Sequence, residues 1–352
     1  YQTDLKQSGQ QDKTIQLYEE LLEDNPHNTK AIFGYSLFLR DIGQPRRSTR
    51  VLTEQTADIS QNDLIRSIFR SYLEPEQYRN AAYLLQRLIA QRPDFNDLHY
   101  LLGLSYDGLK EHGRALAQFR AVPPPSRFYR QATIQIAFRH AEDNRNDLAI
   151  AYLEKALAQD PENTEFMTYL GSFYEEAERY EDAERYLLKA IEKDPDNERA
   201  HFRLGVIYDK MKRKEASIEI MKRVIELNPD HANALNYLGY TYADMGIHLD
   251  EAEALVRKAL ALRPDDGYIT DSLGWVFYQK GQYAEALTWL LKASELELND
   301  PIINEHVGDA YLKLNNKAKA LEYYRKSLSL RTEDSEREKI RPKIDALTTN
   351  KP

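Results

Sequence analysis

The eight histidines are the side chains of this sequence best suited to acid–base catalysis or metal binding. No two of them have the spacing of a metal-binding helix such as HExxH, and without cysteine the chain has no thiolate ligand or nucleophile. Seven of them fall at packing positions or in turns of the pattern described below: His27, His99, His112, His140, His201, His231 and His248. Their types and spacing predict neither a catalytic nor a metal site.

Motifs for phosphate binding and nucleophilic catalysis are also absent from the sequence. There is no GxxxxGK[ST] loop and no GxGxxG after a predicted strand. The segment Gly103–Gly108 is similar to a GxSxG elbow in its letters, but it lies within a predicted helix. Paired carboxylates such as Glu175 and Glu176 are common on solvated helix faces. We therefore expect no catalytic residue, no metal and no cofactor, and a chain that is not an enzyme.

Composition and charge favour an all-helical chain without a nucleic-acid surface. Of 352 residues, 14 are glycine and 14 proline, so helix breakers are few, and 30% are charged. The net charge is −9, and the densest basic cluster is small: Arg46, Arg47 and Arg50. We therefore expect no nucleic-acid partner. No run of 18 apolar residues occurs, so no transmembrane segment is expected in these residues.

An internal repeat organises the chain. Five glycines recur at spacings of 34, 34, 35 and 34 residues: Gly171, Gly205, Gly239, Gly274 and Gly308. An apolar residue precedes each glycine, an aromatic residue follows three positions later, and a small residue lies on the predicted second helix. Most units close on a proline, such as Pro195. This pattern resembles the tetratricopeptide repeat (TPR), a helix–turn–helix unit.

Extending this register divides residues 1–334 into a TPR array. A partial repeat occupies 1–27, and the whole repeats are 28–61, 62–95, 96–129, 130–163, 164–197, 198–231, 232–266, 267–300 and 301–334. The prolines at 123–125 predict either a bend between repeats or a longer loop. The resemblance implies an all-α fold, an α-solenoid whose repeats wind into a right-handed superhelix, with roughly three-quarters or more of the residues helical.

The last residues differ in composition from the repeats. Charged residues dominate 331–343, and Ile340, Ile344 and Leu347 recur at helical spacing. Residues 335–352 are therefore predicted to form a capping helix and a tail, which gives the array a polar end. Pro342 is expected to kink or split this helix.

A face of each first helix is the candidate binding surface. With the repeat glycine as position 8, positions 4, 7, 8 and 11 form the packing stripe, and positions 2, 5, 9, 12 and 13 lie opposite to it. We call the latter positions the first-helix face. The resemblance implies that this face lines the concave groove of the superhelix and carries ligands. The candidate residues for binding a peptide or protein are Arg199, Phe202, Asn233, Asn236, Tyr240, Asp271, Trp275, Tyr278, His306 and Asp309.

The side chains on this face suit protein binding. A solvated helix face should carry mostly Lys, Glu and Gln, but here aromatic rings alternate with Asn and Asp. Asparagine can bind a peptide backbone through both a donor and an acceptor, and aromatic rings supply contact area at low entropic cost. The predicted function is a non-catalytic scaffold or adaptor that binds a peptide or protein segment in the groove. Chaperone-binding TPR proteins hold a C-terminal carboxylate with Lys at position 5 and Asn at position 9, and no repeat here has that pair.

Two alternatives remain open at this point. The aromatic rings can pack against the first helix of the neighbouring repeat and leave little for a partner. The array can also act as an assembly or oligomerisation module of a bacterial envelope complex, which docks by its edge while the groove is incidental.

A second resemblance concerns the C-terminal repeats and the cellular location. The segments Asn233–Tyr240, Asp271–Trp275 and His306–Asp309 are similar to the C-terminal repeats of bacterial TPR lipoproteins, some of which are adaptors at the outer membrane. This implies a periplasmic or outer-membrane-associated location in preference to a cytoplasmic one. The sequence begins at Tyr1 without methionine, so we expect a longer precursor whose N-terminus could carry a lipid anchor.

Overall fold

The structure, a computed structural model, describes residues 2–348, with side chains described from residue 9 onward. These residues form twenty α-helices and one π-helical turn and contain no strand. Helices make up 79% of these described residues. The predicted all-α solenoid of helix–turn–helix repeats is confirmed.

The first of two compact units ends at Pro161. It consists of α1 (Gln2–Asp24), α2 (Thr29–Asp41), α3 (Pro45–Thr56), α4 (Gln61–Ile68), α5 (Tyr78–Gln91), α6 (Asp97–Gly108), α7 (His112–Arg120), α8 (Tyr129–Glu142) and α9 (Asn146–Gln159). A π-helical turn, Phe69–Leu73, continues α4. The prolines at 123–125 lie in the connection between α7 and α8, which pack on each other within this unit. They therefore lengthen a loop and do not mark the boundary between the units.

The second unit begins at Glu162 and contains five helix pairs and a last helix. Its first helices are α10 (Thr164–Glu176), α12 (Glu198–Lys210), α14 (Ala232–Asp244), α16 (Gly267–Gln279) and α18 (Pro301–Lys313). Its second helices are α11 (Tyr180–Lys193), α13 (Lys214–Leu227), α15 (Leu249–Leu262), α17 (Tyr283–Leu296) and α19 (Lys317–Leu330). The last helix, α20, spans Asp334–Thr348.

Capping side chains begin the first helices of the second unit. In each case the N-cap side chain accepts a hydrogen bond from a backbone N–H two or three residues later, which satisfies a donor that the helix leaves free. The N-cap residues are Asn163, Asn197, His231, Asp266 and Asp300. Polar residues at the repeat boundary therefore fix where each first helix starts.

A left-handed residue ends most of the first helices. The residue two places after the helix has a φ of about +60° to +75°, as at Glu178, Lys212, Gly281 and Asn315. The next backbone N–H then bonds a carbonyl five residues back, as from Arg179 to Tyr174 at 2.8 Å. This short turn leads directly into the second helix of the repeat.

The repeat glycine lies where the two helices of one repeat approach each other. A Cβ atom built on any of the five glycines would come within 2.5 to 2.7 Å of the side chain at position 24 of the same repeat. Those side chains are Leu187, Met221, Val256, Leu290 and Tyr324. The close approach explains why glycine recurs with the 34-residue period.

Helix α20 covers the end of the last repeat. Ile340 is fully buried there, with Ile344 and Leu347 packed beside it and against Tyr324. The helix runs through Pro342 without a break, so the expectation that it splits is wrong. Pro342 has no backbone N–H, so it cannot donate the helical hydrogen bond to the carbonyl of Glu338. Both residues are exposed, and that carbonyl can bond water instead.

Candidate functional site

The ten candidate binding residues all lie on α12, α14, α16 and α18. The structure separates them into two main groups. One group surrounds a cleft between α12 and α14, and the other forms a largely buried cluster between α16, α18 and α20. The two groups differ in how much of each side chain is exposed and can contact a partner.

The cleft has a volume of about 300 Å³. We call it the Tyr240 cleft; its lining residues are Asp209, Lys214, Tyr237, Tyr240, Thr241 and Asp244. The Tyr237 hydroxyl donates a hydrogen bond to Asp209 Oδ2 at 2.8 Å, and Lys214 Nζ donates one to Asp244 Oδ2 at 2.5 Å. The Tyr240 ring therefore shares the cleft with two carboxylates. Asp209 is bonded to the Tyr237 hydroxyl, and Asp244 is bonded to Lys214.

The charge of its surroundings makes this cleft favourable for cations. Burial raises the pKa of the Tyr240 hydroxyl, and the negative charges of Asp244, Asp271 and Asp209 raise it further. The hydrogen bond from Lys214 to Asp244 raises the pKa of that lysine. The shift of Lys214, and the part of the Tyr240 shift that does not come from burial, reflect a negative potential, which stabilises the protonated forms.

Two buried polar atoms near these residues have no hydrogen-bond partner among the described residues. They are Oδ1 of Asn236, one helical turn before Tyr240, and Nε1 of Trp275 on the next first helix. A buried polar atom left without a partner costs about 1–3 kcal/mol. Both atoms are closed off from solvent, so a bound segment reaches them only if the neighbouring side chains move.

The second group is a stack of rings on a buried ion pair. Nδ1 of His306 lies 3.0 Å from both carboxylate oxygens of Asp271, and both side chains are buried. The Trp275 ring stacks on His306 at 4.2 Å between ring centres and on Tyr278 at 4.7 Å. His306 belongs to the next repeat, so Trp275 and Asp271 contribute to the contact between neighbouring first helices.

Protonation of His306 strengthens that contact. Burial alone lowers the pKa of His306, but the charge of Asp271 and its hydrogen bond raise it by more, and Asp309 and Glu305 add to the effect. The pKa of His306 therefore lies above its usual value. The pair stabilises the fold as an ion pair where the imidazole is protonated.

Asp309 is bonded by a residue of the capping helix and is buried, although position 9 of the repeat belongs to the first-helix face. It accepts a hydrogen bond from the Tyr324 hydroxyl at 2.6 Å, and Lys343 Nζ lies 2.7 and 2.8 Å from its two oxygens. Lys343 also pairs with Glu305, which is bonded to Arg331 as well. The repeat pattern carries no signal for this contact, because Lys343 lies in α20, after the last repeat.

The remaining candidates lie towards the N-terminal ends of the first helices. Arg199 is exposed and donates a hydrogen bond to the Tyr169 hydroxyl at 3.0 Å. Asn233 is exposed, and its Oδ1 accepts a hydrogen bond from Arg263 at 2.8 Å. Phe202 is half-buried, with its ring centre 4.9 Å from that of His231. These side chains extend the surface beside the cleft.

An apolar patch lies at one edge of the second unit, where second helices lead into the next first helix. A Cβ on Gly267 would contact Leu296 and Glu297, so the start of α16 lies against the end of α17. The patch, which we call the edge patch, consists of four exposed side chains: Tyr268, Leu296, Leu298 and Ile302. Tyr268 and Ile302 lie at position 2 of the first-helix face, but Leu296 and Leu298 come from the end of α17 and the turn after it, so the helical period alone does not predict the patch.

Within residues 2–348, no cluster of histidine and carboxylate side chains has the arrangement of a metal site. None of the helices in that range is long and apolar enough to cross a bilayer. The arrangement described above offers aromatic surface and negative charge.

Comparison with known families identifies the repeats. Three models, each described as a tetratricopeptide repeat, match residues 67–129, residues 140–201 and 176–239, and residues 237–337. Together they span most of the chain. This protein belongs to the tetratricopeptide repeat family. TPR proteins generally mediate protein–protein interaction and are typically non-catalytic scaffolds.

Several individual proteins are similar to this chain. A TPR repeat-containing protein of Pseudomonas aeruginosa is 39% identical over 70 residues, which is 20% of this chain but only 12% of that protein. Among solved structures, a TPR protein of Parabacteroides merdae has 16% identity, covers 72% of this chain and 99% of its own, and superimposes with a TM-score of 0.56. MamA is 31% identical, covering 46% of this chain and 94% of its own, with a TM-score of 0.42. The likeness to bacterial TPR lipoproteins stays a prediction.

Proposed function

We propose that this protein is a non-catalytic scaffold or adaptor that binds a peptide or protein segment along the first-helix face of its second unit. The observation that carries the proposal is the Tyr240 cleft, with its half-buried ring between two carboxylates. Asn236 lies one helical turn before Tyr240 on α14, so a segment that contacts the Tyr240 ring also passes the Asn236 side chain.

Within this proposal, the candidate residues have different roles. Tyr240 and Asn236 contact the partner, and the exposed Arg199 and Asn233, with Phe202, extend the surface. Asp271, Trp275, Tyr278, His306 and Asp309 mainly hold neighbouring first helices and α20 in register. Truncation of Trp275 should therefore cost mainly stability.

Peptides selected from a random phage-displayed library on the intact chain test the proposal. Their affinity should fall by about 2 kcal/mol in Tyr240→Ala, as for a central aromatic anchor, and much less in Tyr240→Phe, which keeps the ring. Tyr323→Ala is the matched control, because this half-buried tyrosine lies on a second helix, α19, away from the first-helix face. Unchanged affinity in Tyr240→Ala, with circular dichroism showing a folded variant, would contradict the proposal.

The edge patch favours a second candidate function, an assembly module that docks by its edge. The four side chains are between 37% and 63% exposed, which is unusual for a cluster of large apolar residues. Burial raises the pKa of the Tyr268 hydroxyl, and the neighbouring carboxylates of Asp300 and Glu297 raise it further. Analytical ultracentrifugation of the parent and Leu298→Ser tests this function. Self-association that the substitution abolishes would support it, and a monomer at all concentrations would exclude assembly through copies of this chain.

A further inference from the structure

The net negative charge of the chain is concentrated in the second unit. Residues 162–352 carry 36 acidic and 28 basic side chains, a net charge of −8, whereas residues 1–161 carry 21 and 20. The first-helix face of the five repeats from 164 to 334 holds three basic residues, Arg199, Lys210 and Lys313. It holds eight acidic residues: Glu165, Glu175, Glu176, Asp209, Asp244, Asp271, Glu305 and Asp309.

Most of the buried or half-buried carboxylates on this face are paired within the chain. Glu175 pairs with Arg203 at 3.1 Å, for example, and Asp271 pairs with His306. Asp209 differs: within the described part of the chain it accepts the hydrogen bond from Tyr237 but forms no ion pair. It is half-buried and lines the Tyr240 cleft. A half-buried carboxylate without an ion pair is stabilised by a cation placed beside it.

The last repeat contains a carboxylate bonded by a tyrosine hydroxyl, as at Asp209, together with a cation. There the hydroxyl of Tyr324, on the second helix of the same repeat, donates to Asp309 at 2.6 Å, whereas Tyr237 donates to Asp209 from the first helix of the next repeat. Lys343 completes the set, with its Nζ within 2.8 Å of both oxygens of Asp309 and 5.5 Å from the centre of the Tyr324 ring. Lys343 comes from α20, outside the repeat it binds.

We propose that the partner segment is cationic and presents a lysine or arginine side chain to Asp209, as α20 presents Lys343 to Asp309. The Tyr237 hydroxyl holds the carboxylate in place, and the Tyr240 ring offers its face to the cation. Lys214 lines the same cleft and is attracted by Asp209, but its ammonium group bonds Asp244 and forms no ion pair with Asp209 among the described residues. This inference rests on the proposed function and names the chemistry of its partner.

The test uses two dye-labelled synthetic peptides, repeats of Lys-Ala-Phe and of Glu-Ala-Phe, and fluorescence anisotropy with the full chain. The lysine peptide should bind saturably and more weakly as salt is added. Asp209→Asn should lower its affinity by about threefold to tenfold. Asp250→Asn removes the same charge from α15, where the side chain is 97% exposed, and should leave affinity within about twofold.

The outcomes separate this inference from the function on which it rests. Equal losses in Asp209→Asn and Asp250→Asn would show only long-range attraction and overturn the inference. Binding of the glutamate peptide alone, or of neither peptide, would also overturn it. The proposed function would stand in those cases if Tyr240→Ala still weakened peptides selected from the random library.

Discussion

Gly205 and Gly239 occupy the same position in adjacent repeats, but alanine should have different effects at the two sites. A Cβ on Gly239 would lie 2.5 Å from Val256 Cγ2 and 3.0 Å from the backbone oxygen of Ala252. Val256 is fully buried and β-branched, so neither neighbour can move easily. A Cβ on Gly205 would meet first the terminal methyl of Met221, at 2.7 Å, on a flexible side chain.

The magnitudes follow from two opposing effects. Overpacking in a core costs about 1–3 kcal/mol, and we expect the upper end at Gly239 and the lower end at Gly205. Both glycines lie in helix interiors, where alanine is favoured by about 1 kcal/mol. Gly239→Ala should therefore lose about 2 kcal/mol of unfolding free energy, and Gly205→Ala should be close to neutral.

Urea unfolding of the full chain, followed by far-ultraviolet circular dichroism, measures the difference. Hydrogen exchange of α12 and α14 should accompany it, because repeat arrays can open locally. Gly113→Ala is the control, since nothing lies within 4 Å of a Cβ on that helical glycine, and it should be neutral or slightly stabilising. An unchanged Gly239→Ala protein, or equal losses at Gly205 and Gly239, would refute this account of the packing.

Three further predictions concern the buried pair, the cap and the edge. Because the pKa of His306 is raised on folding, its stabilisation is complete below the usual value of about 6.5 and is lost as pH rises through the folded value. The stability difference between the parent and His306→Gln should therefore shrink between pH 6 and pH 9, and NMR should give a His306 midpoint above 6.5; a midpoint below 6.5 would contradict this. Ile340→Ala should cost about 2–4 kcal/mol and expose α20 to hydrogen exchange, whereas unchanged protection would show that α20 is held by other contacts. Leu298→Ser should leave the melting temperature within about 1 °C, because the side chain is 63% exposed, and a large drop would place Leu298 in the core.

Much of the fold could be predicted from the sequence because the repeat is set by local rules. The glycine at position 8 recurs because the facing side chain leaves no room for a Cβ, and that constraint is the same in every repeat. The continuity of α20 through Pro342 could not be predicted, because it depends on the exposure of one carbonyl.

The candidate site could be predicted only in part. The helical period places Tyr240 and Trp275 on one face, but it does not show which neighbour each ring meets. Trp275 stacks on His306 because a flat imidazole happens to occupy position 6 of the next repeat. Tyr237 holds Asp209 from that same position, and Lys343 reaches Asp309 from the cap. These are contacts between repeats, which the pattern within one repeat cannot specify.

The central claim is that the Tyr240 cleft contacts a partner in the native setting, and site-specific photocross-linking tests it most directly. The photoreactive residue p-benzoylphenylalanine replaces Tyr240 in the full chain, and Tyr323, a half-buried tyrosine on α19, in a control. Both proteins are irradiated in the cells of origin, and adducts are identified by mass spectrometry. The account predicts a covalent adduct to a protein partner from position 240 and none from position 323. No adduct from position 240, or the same adduct from both positions, would contradict it.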